Sequence, residues 1–459
     1  MRRASVCVAL AANGWAATLL DTGQEIAGGD TIESCLETFI HERVDVYLPN
    51  ASQLQDLLAR LPANARPNAS LIREKDAGMI FDVAGFQHTG GASWWCGDML
   101  FPGPIGRYAR KIGAESPDGL DAEPACRAWQ ALLRWQKSLL ADITGVESSH
   151  TISGTAMKAA LPLMWRRGAD RKKTTVAFEV ARRSYYGGRQ QLFRPDYAGD
   201  AVYYDIKSAY GWAMTCPLPD WQTYDARPIL PREPGWYDAT VRLSGPVGPL
   251  PVRDPDNPRA LSYPTDCTVR GWWTRLDIER SGVHVVEVHA QVAGRPSDDL
   301  RRHVAAWLDR RETSACLGTR DTIRALAVGF AGKLAQRDTA WALWHVAEGE
   351  PPVGSRPLSG GWWVYPTRAK RPPVTLPTTA SYITAMVRAR VWPTIANGDA
   401  IYTHTDSVHL PADVVLRGGG PDTGDRPGDW SIKAEGYGRY HGIGNYTING
   451  KHYGSRGDE

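Results

Sequence analysis

Hydrophobic residues recur with two different periods along the first 145 residues. Apolar residues at helical spacing predict three helices, over TIESCLETFIHERV, SQLQDLLARLP and PACRAWQALLRWQKSLLADIT. Short β-prone runs predict strands between them, over DVYLPN, DAGMIFDVAGF and WWCGDML. The dipeptide Asn13-Gly14 lies between two further β-prone runs, which is typical of a tight hairpin rather than of a signal peptide. This mixture indicates an α/β domain.

The pattern changes after residue 145. A basic stretch punctuated by glycine leads to AVYYDIKSAYGWAM, where an apolar run ends at Asp205 and a helical pattern follows. The next two helices are predicted as an antiparallel pair, the first capped by Ser297, over SDDLRRHVAAWLDRRETSA and TRDTIRALAVGFAGKLAQR. A further helix, ASYITAMVRARVWPTIANG, precedes IYTHTDSVHL, whose β-prone halves predict a hairpin with Asp406 at its turn.

Composition is that of a soluble globular protein, because 42% of the 459 residues are apolar and 22% are charged. The length predicts two or three domains. No apolar run approaches the ~18 residues of a membrane span, so we expect a cytoplasmic protein without a membrane partner. The seven cysteines are scattered singly and are odd in number, which argues against a disulfide framework and favours a reducing compartment.

Charge is distributed unevenly, although the net charge is only +3. From Lys158 to Arg194, ten Lys or Arg residues accompany two acidic residues. A local basic stretch of this kind either binds a polyanion or forms a solvated face, and both interpretations stay open.

Two aspartates carry the candidate chemistry. Asp205 ends one predicted strand, and Asp406 lies in a predicted strand–strand turn. Nucleotidyl transfer requires carboxylates that hold two divalent ions, and two strand ends that each present one Asp would provide them. An Asp at such a position, taken alone, is more often an ordinary turn residue or helix cap than a metal ligand.

Five segments, taken in order, resemble motifs of the family B DNA polymerases, including their protein-primed phage and plasmid branch. YYDIKSAYGWAM resembles motif A, RALAVGFAGKLAQR resembles motif B, and YTHTDSV resembles motif C. RRSYYGGRQQLF resembles the Tyr-x-Gly-Gly motif of the protein-primed branch, and ASYITAMVRARVW resembles the helix before motif C. The resemblance covers about residues 150 to 455, and order and spacing make it far more specific than any one motif.

The resemblance implies an α/β (α+β) fold in two parts. Residues 1–145 would form an RNase H-like, degenerate 3′–5′ exonuclease domain, and residues 146–459 a polymerase domain of right-hand architecture. Within the latter, 146–296 and 338–459 would form the palm and 297–337 the fingers. The chain stops where a thumb would begin, so we expect the thumb to be reduced or absent.

The resemblance also assigns roles to individual residues. Asp205 and Asp406 would bind two Mg²⁺ or Mn²⁺ ions, with the carbonyl of Ile206 and, as one alternative, His404 as further ligands. Tyr210 would lie under the sugar of the incoming dNTP and exclude a 2′-hydroxyl group. The other expected nucleotide contacts are Ser208, Ala209, Arg310, Arg311, Arg324 and Lys333. The expected DNA contacts are Tyr185, Gly187, Gly188, Lys433 and Tyr446.

Several positions depart from the family pattern. Val328 and Ala331 replace the Asn and Tyr of motif B, and His404 replaces the first Asp of motif C, where it either ligates a metal or only packs beside the site. Gly444 replaces the Lys of a Lys-x-Tyr element whose Tyr is Tyr446. The first exonuclease strand reads VCVALAA instead of carrying Asp-x-Glu, and Trp129 stands where a further Asp belongs. We therefore expect no proofreading activity.

The first hypothesis is a DNA-directed DNA polymerase, encoded by a bacterium, a phage or another mobile element. It would extend a primer 3′-OH or a protein hydroxyl, and its partners would be template and primer DNA, dNTPs, and a priming protein or clamp-like accessory. A template-independent or relaxed nucleotidyltransferase is the second hypothesis. A catalytically decayed nucleic-acid-binding scaffold is the third. The tryptophans near the N-terminal domain serve either base stacking or core packing.

Overall fold

The structure is a computed structural model that describes residues 3–40, 42–61, 68–75, 80–87, 92–165, 171–254, 261–336, 339–368 and 375–453. Its helices are α1 Ile32–Phe39, α2 Ala51–Arg60, α3 Ile105–Ile112, α4 Ala122–Thr144, α5 Ile152–Trp165, α6 Arg171–Arg183, α7 Ala209–Thr215, α8 Arg275–Ser281, α9 Asp299–Thr313, α10 Leu317–Leu334, α11 Pro377–Ile395 and α12 Ala412–Val414.

The strands within the described ranges form five sheets. They are β1 Ala4–Ala11, β2 Gly14–Leu19, β3 Glu25–Gly29, β4 Val44–Leu48, β5 Asn68–Lys75, β6 Ile80–Gln87, β7 Ser93–Cys96, β8 Arg189–Leu192, β9 Ala198–Ile206, β10 Leu218–Asp225, β11 Gly235–Leu243, β12 Val252–Arg253, β13 Leu261–Ser262, β14 Cys267–Thr274, β15 His284–Ser297, β16 Thr339–His345, β17 Arg356–Pro357, β18 Trp362–Arg368, β19 Tyr402–Thr405, β20 Ser407–Pro411, β21 Trp430–Gly442, β22 Asn445–Ile448 and β23 Lys451–Tyr453.

Contacts divide the chain into two compact units. The first comprises residues 1–159, 310–330 and 336–374, and the second comprises residues 160–309, 331–335 and 375–459. Helices α9 and α10 therefore contribute residues to both units. This division does not test the predicted domain bounds, which stay predictions.

The first unit is built on a seven-stranded sheet of order β3-β2-β1-β4-β7-β6-β5. Strands β1, β4 and β7 pair in parallel, and the outer pairs are antiparallel. The predicted N-terminal hairpin is present, but its two turn residues are Ala12 and Asn13, and Gly14 begins β2. Gly14 has φ 126° and a Cβ there would lie 2.3 Å from the carbonyl oxygen of Gly29, so glycine is required by both conformation and space.

Trp129 fills the space beside the sheet where the resemblance places a nuclease acid. The residue, on α4, is fully buried, and its indole N–H donates to the carbonyl of Tyr47 at 2.9 Å. A Cβ at Gly97 would lie 2.2 Å from its ring. Trp94 is also fully buried, whereas Trp95 stacks on His150 at 4.0 Å. Core packing thus accounts for Trp94 and Trp129.

The N-terminal half of α10 packs on α3 and α4 within the first unit. The Tyr108 hydroxyl donates to the Gln136 side chain at 2.7 Å and lies 2.8 Å from the Thr322 hydroxyl, and all three side chains are buried. Lys111 forms an ion pair with Asp321 near this cluster. A buried, fully hydrogen-bonded cluster of this kind fixes the docking of a helix specifically.

The second unit contains two larger sheets. One has the order β10-β15-β11-β14, and the other, of seven strands, has the order β23-β22-β21-β9-β20-β19-β8. The central strand β9 pairs antiparallel with β20 on one side and with β21 on the other. Helix α9 begins at Asp299, whose N–H donates to the Ser297 hydroxyl at 3.2 Å. Among the residues that the structure describes, no helix is long and apolar enough to span a membrane.

Candidate active site

Asp205 and Asp406 lie on neighbouring strands at one edge of the seven-stranded sheet of the second unit. Asp205, the penultimate residue of β9, lies opposite Ser407, the first residue of β20. The Ile206 N–H donates to the Asp406 carbonyl at 3.0 Å, which locks the two segments together. Two residues that are two hundred positions apart in sequence are thereby brought side by side.

A two-residue turn presents Asp406. His404 pairs with Ser407, which leaves Thr405 and Asp406 as the turn. Thr405 has φ 57°, and a β-branched residue rarely adopts this conformation, although the first turn position of such hairpins requires a positive φ. The Thr405 hydroxyl donates to the Asp406 carboxylate at 2.7 Å and so orients it.

A second strained residue follows Asp205. Ser208, with φ 50° and ψ 40°, precedes the first residue of α7. The turn is held by the Lys207 N–H, which donates to the Asp429 carbonyl at 2.9 Å, and by the Gly428 N–H, which donates to the Lys207 carbonyl at 2.7 Å. Positive-φ residues thus flank both aspartates, as is common where a fold imposes a functional geometry.

Lys433 lies beside the Asp205 carboxylate. Its ammonium group is 3.4 Å from Asp205 Oδ2, and it lies at a bulge of β21 between Ile432 and Ala434. The Asp205 carboxylate thus already has one cationic neighbour in this structure. Mg²⁺ and Mn²⁺ commonly use one or two carboxylates together with water and substrate phosphate, and the predicted binding of these ions by the two Asp side chains stays a prediction. The predicted DNA contact of Lys433 stays a prediction.

His404 and Ile206 differ in accessibility. The His404 side chain is exposed, and Ile206 is buried. Among the described residues, no group of three or more His, Cys, Asp or Glu side chains is placed to hold a metal ion. A ligand role for His404 or for the Ile206 carbonyl stays a prediction.

Tyr210 lies near Asp406. Burial, together with the negative charge of Asp406, raises the pKa of Tyr210 to about 12, whereas Arg388 acts in the opposite direction. The phenol is therefore neutral across the physiological pH range and can act as an uncharged surface. Ala209 is buried at the start of α7. The nucleotide contacts expected for Ser208, Ala209 and Tyr210 stay predictions.

The basic residues expected at the triphosphate belong to different units. Arg310 and Arg311 are on α9 in the first unit, where Arg310 forms an ion pair with Asp142 and Arg311 with Glu312 at 2.7 Å. Arg324 and Val328 lie on an exposed face of α10. Lys333 belongs to the second unit, and burial lowers the pKa of its side chain. Their contacts with a nucleotide stay predictions.

The Tyr-x-Gly-Gly loop, residues 185–188, contacts the turn that carries Asp406. A Cβ at Gly188 would lie 2.7 Å from the Thr405 Cβ and 2.8 Å from its Cα, so only glycine fits there. At Gly187 an added Cβ would meet nothing within 4 Å. The two glycines therefore differ: Gly188 is required by close packing against the turn, whereas Gly187 borders open space.

Sequence reasoning missed Arg388 in α11. Its guanidinium group is buried and binds both carboxylate oxygens of Asp277, at 2.8 and 3.0 Å. The same group donates to the carbonyls of Tyr186, at 2.5 Å, and Gly187, at 3.0 Å. The available signal was weak, because α11 carries two arginines, Arg388 and Arg390, and the sequence does not show that only Arg388 is buried.

An aromatic cluster supports the sheet next to the aspartates. Tyr446, which is only 7% exposed, stacks on Tyr440 with ring centroids 5.3 Å apart and on Tyr453 at 5.6 Å. His409 stacks on Tyr203 at 4.3 Å, and its Nδ1 lies 2.9 Å from the Tyr440 hydroxyl. Tyr446 is thus mainly a packing residue here, and its predicted contact with primer DNA stays a prediction.

Comparison with solved structures finds the fold of Phi29 DNA polymerase. The ternary complex of that enzyme with primer-template DNA and incoming nucleotide superposes with a TM-score of 0.68 at 14% identity, covering 99% of this chain and 90% of the other. Its orthorhombic crystal form gives 0.69 at 13% identity, covering 100% and 90%. Its complex with single-stranded DNA gives 0.66 at 14% identity, covering 99% and 90%. No protein-family model and no curated protein sequence matches the chain.

Proposed function

We propose that the chain is a DNA-directed DNA polymerase that transfers nucleotides from dNTPs to a primer 3′-OH or a protein hydroxyl and lacks proofreading. The observation that supports this most is the pairing of β9 with β20, which brings Asp205 and Asp406 together. The likeness in fold to Phi29 DNA polymerase, whose structures include complexes with primer-template DNA, points the same way.

In the proposed reaction the attacking hydroxyl oxygen forms a bond to the α-phosphorus of the dNTP, and the bond from that phosphorus to the bridging oxygen breaks. Pyrophosphate leaves, and the proton of the hydroxyl passes to solvent. Asp205 and Asp406 would hold Mg²⁺ or Mn²⁺, which stabilises the charge that develops on the phosphate oxygens. The Thr405 hydroxyl keeps the Asp406 carboxylate oriented.

Three side chains carry the remaining proposed roles. Tyr210 presents its neutral ring to the sugar and excludes a 2′-hydroxyl group. Lys433 leaves Asp205 and contacts the primer or a phosphate when metal binds. Trp129 occupies a nuclease position with an apolar indole, and the first exonuclease strand carries Ala9 and Ala11, so the first unit supplies no exonuclease site in this proposal.

Relaxed, template-independent transfer is a second candidate function. The observation that favours it is Val328, which is 48% exposed on α10 at a position where the family carries a polar Asn. An apolar surface without hydrogen-bonding groups would check the nascent base pair less strictly. A decayed scaffold is the third candidate and predicts binding without incorporation.

One experiment separates these candidates. The protein is incubated with dNTPs and Mg²⁺ or Mn²⁺, with a primed template or with the primer alone, and products are resolved on a gel. Asp406→Asn should lower templated extension by about 100-fold or more, because a metal ligand is lost. Asp413→Asn is the matched control, since Asp413 is exposed in the same unit and pairs only with Arg417 among the ion pairs described.

The outcomes are distinct. Extension only on a primed template supports the polymerase, and extension of the primer alone supports relaxed transfer. DNA binding without incorporation by the wild type with either metal would contradict both. Use of rNTPs and dNTPs at equal rates by the wild type would contradict the role of Tyr210, whereas Tyr210→Ala is expected to raise rNTP use.

A further inference from the structure

A hydrogen-bonded chain of three titratable side chains holds His150, in the segment that joins α4 to α5 (residues 145–151). The ammonium group of Lys137, on α4, donates to the Tyr47 hydroxyl at 3.0 Å, and this hydroxyl lies 2.7 Å from His150 Nδ1. Tyr47, on β4, is only 1% exposed. The His150 ring also stacks on Trp95, with 5° between the ring planes. These residues belong to the first unit, whereas the two aspartates of the candidate active site belong to the second.

The direction of the hydrogen bonds determines the protonation state of His150. A lysine ammonium group only donates, so the Tyr47 oxygen accepts from Lys137. The single hydroxyl proton of Tyr47 is then directed to His150 Nδ1, which accepts a hydrogen bond only when it carries no proton. Protonation of Nδ1 would set two donors against each other and take away the acceptor of the buried hydroxyl. The arrangement therefore selects the neutral imidazole.

The charged groups that face His150 come from three neighbouring parts of the unit. Asp45 lies on β4, Lys137 on α4, and Arg3 directly before β1. Burial is the largest cause that lowers the pKa of His150 from its ordinary value of 6.5. Asp45 raises this pKa, whereas Lys137 and Arg3 lower it. Because Asp45 lies 3.7 Å from the Arg3 guanidinium group, its charge is already partly compensated, and it does not reverse the preference for neutral His150.

The segment that His150 holds also fixes the first turn of α5. The Ser149 N–H donates to the Thr155 hydroxyl at 2.9 Å, so the residue before His150 is tied to that turn. In the same turn, Ser153 packs against α10, because a Cβ added at Gly329 would lie 2.9 Å from the Ser153 Cβ. A change in the contacts of His150 is thus placed to alter the start of α5.

We propose that His150 is a pH-sensitive switch that holds segment 145–151 while it is neutral and releases the segment when it is protonated. Protons bind the released form more readily than the held form, so the segment is held above pH 6.5 and is released progressively as the pH falls below that value. An imidazole that titrates near 6.5 only after release shifts this equilibrium by up to about tenfold at pH 5.5. The inference does not rest on the proposed function.

Hydrogen exchange of the full chain, followed by mass spectrometry at pH 8.0 and pH 5.5, tests the switch. The rates are corrected for the intrinsic exchange rate at each pH, and no metal, DNA or dNTP is present. Wild-type peptides that cover residues 145–155 should exchange about five- to tenfold faster at pH 5.5 after this correction. Peptides from α2 report on unfolding of the whole unit, and their corrected rates should not change.

Two substitutions each remove the titratable group but keep a different contact of His150. His150→Phe keeps a ring that can stack on Trp95, and His150→Asn keeps an acceptor for the Tyr47 hydroxyl. In both variants the corrected rates for residues 145–155 should differ by less than about twofold between the two pH values. His441→Gln, which removes an exposed histidine on β21, is the control and should respond like the wild type.

The outcomes decide the proposal even if one of the two variants does not fold. A wild-type segment whose corrected exchange is the same at both pH values would overturn it. A folded His150 variant that keeps the wild-type response would also overturn it, because another group would then sense the proton. An equal acceleration in α2 would contradict it as well, since acid would then loosen the whole unit.

Discussion

At the scale of single residues, the geometry around the two aspartates depends on side chains that the sequence motifs do not mark. The positions of Asp205 and Asp406 followed from the order of the motifs, and the structure brings them together. The ion pair of Lys433 and the carbonyl contacts of Arg388 did not follow, because both join segments that are far apart in sequence. The positive φ of Thr405 could not be predicted from its residue type either, which disfavours it.

Lys433 should weaken metal binding in the resting protein, because its ammonium group competes for Asp205. Lys433→Ala is expected to lower the half-saturating Mn²⁺ concentration about two- to fivefold, a modest effect because the lysine is 44% exposed. Electron paramagnetic resonance of free Mn²⁺ measures the half-saturating concentration without turnover. Lys451→Ala, an exposed lysine over the Tyr453 ring, is the control, and weaker Mn²⁺ binding by Lys433→Ala would contradict the prediction.

Gly188→Ala should damage the candidate active site, whereas Gly187→Ala should not. The new methyl group would meet Thr405 at 2.7 Å, and relief of that overlap must move the turn that holds Asp406. We expect a cost of about 1–3 kcal/mol in the free energy of unfolding and slower nucleotide incorporation. Thermal unfolding and single-turnover kinetics on both variants measure the difference, and equal behaviour of the two would refute the packing argument.

At the scale of elements, hydrophobic periodicity predicted α4, α9, α10 and α11 and the hairpin that carries Asp406. It did not predict the strand order of the seven-stranded sheet, because the pairs of β9 with β20 and β21 join distant segments and depend on side-chain packing. The predicted strand over DAGMIFDVAGF appears as β6 Ile80–Gln87, and its first residues lie outside the described part of the chain.

The buried His409 predicts acid sensitivity of this sheet. Burial, the larger cause, and His404 lower the pKa of His409 from 6.5 to about 3. As the pH falls, His409 therefore binds a proton in the unfolded chain before it does so in the folded chain. This group leaves the free energy of unfolding unchanged above pH 6.5 and lowers it progressively as the pH falls toward 3. The free energy of unfolding should decrease by up to about 5 kcal/mol over this range.

His409→Phe should remove this part of the pH dependence, as measured by urea unfolding between pH 7 and pH 4. The variant should also lose some stability at pH 7, since the contact with the Tyr440 hydroxyl disappears. His441→Gln, an exposed histidine on β21, should behave like the wild type. If His409→Phe loses stability in acid as much as the wild type does, other titratable groups cause the acid sensitivity.

At the scale of the whole molecule, the first unit contains more than the N-terminal residues. Part of α10 belongs to it, through the cluster of Tyr108, Gln136 and Thr322. Sequence alone assigned α10 to the fingers and the N-terminal residues to a separate domain, and no pattern in either segment indicated the buried polar contacts between them. The first unit thus has a mechanical use, because its residues Tyr108 and Gln136 hold the N-terminal half of α10.

Thr322→Val should weaken the packing of α10 on α3 and α4. The substitution keeps the shape of the side chain but leaves the Tyr108 hydroxyl and the Gln136 amide with fewer partners, at a cost of about 1–3 kcal/mol in the free energy of unfolding. Proteolysis near α10 should also become faster. Thr313→Val, at an exposed position of α9, is the control, and equal stability of the two variants would show that the cluster does not hold the helix.

The packing around Trp129 limits which residues position 129 can accept. Its indole is fully buried, and Gly97 cannot carry a side chain while that ring is present. An Asp at position 129 would leave a large cavity and a buried, uncompensated carboxylate, each of which costs several kcal/mol. The packing of the interior around the indole therefore means that a single substitution cannot place an acid at position 129 without a large loss of stability.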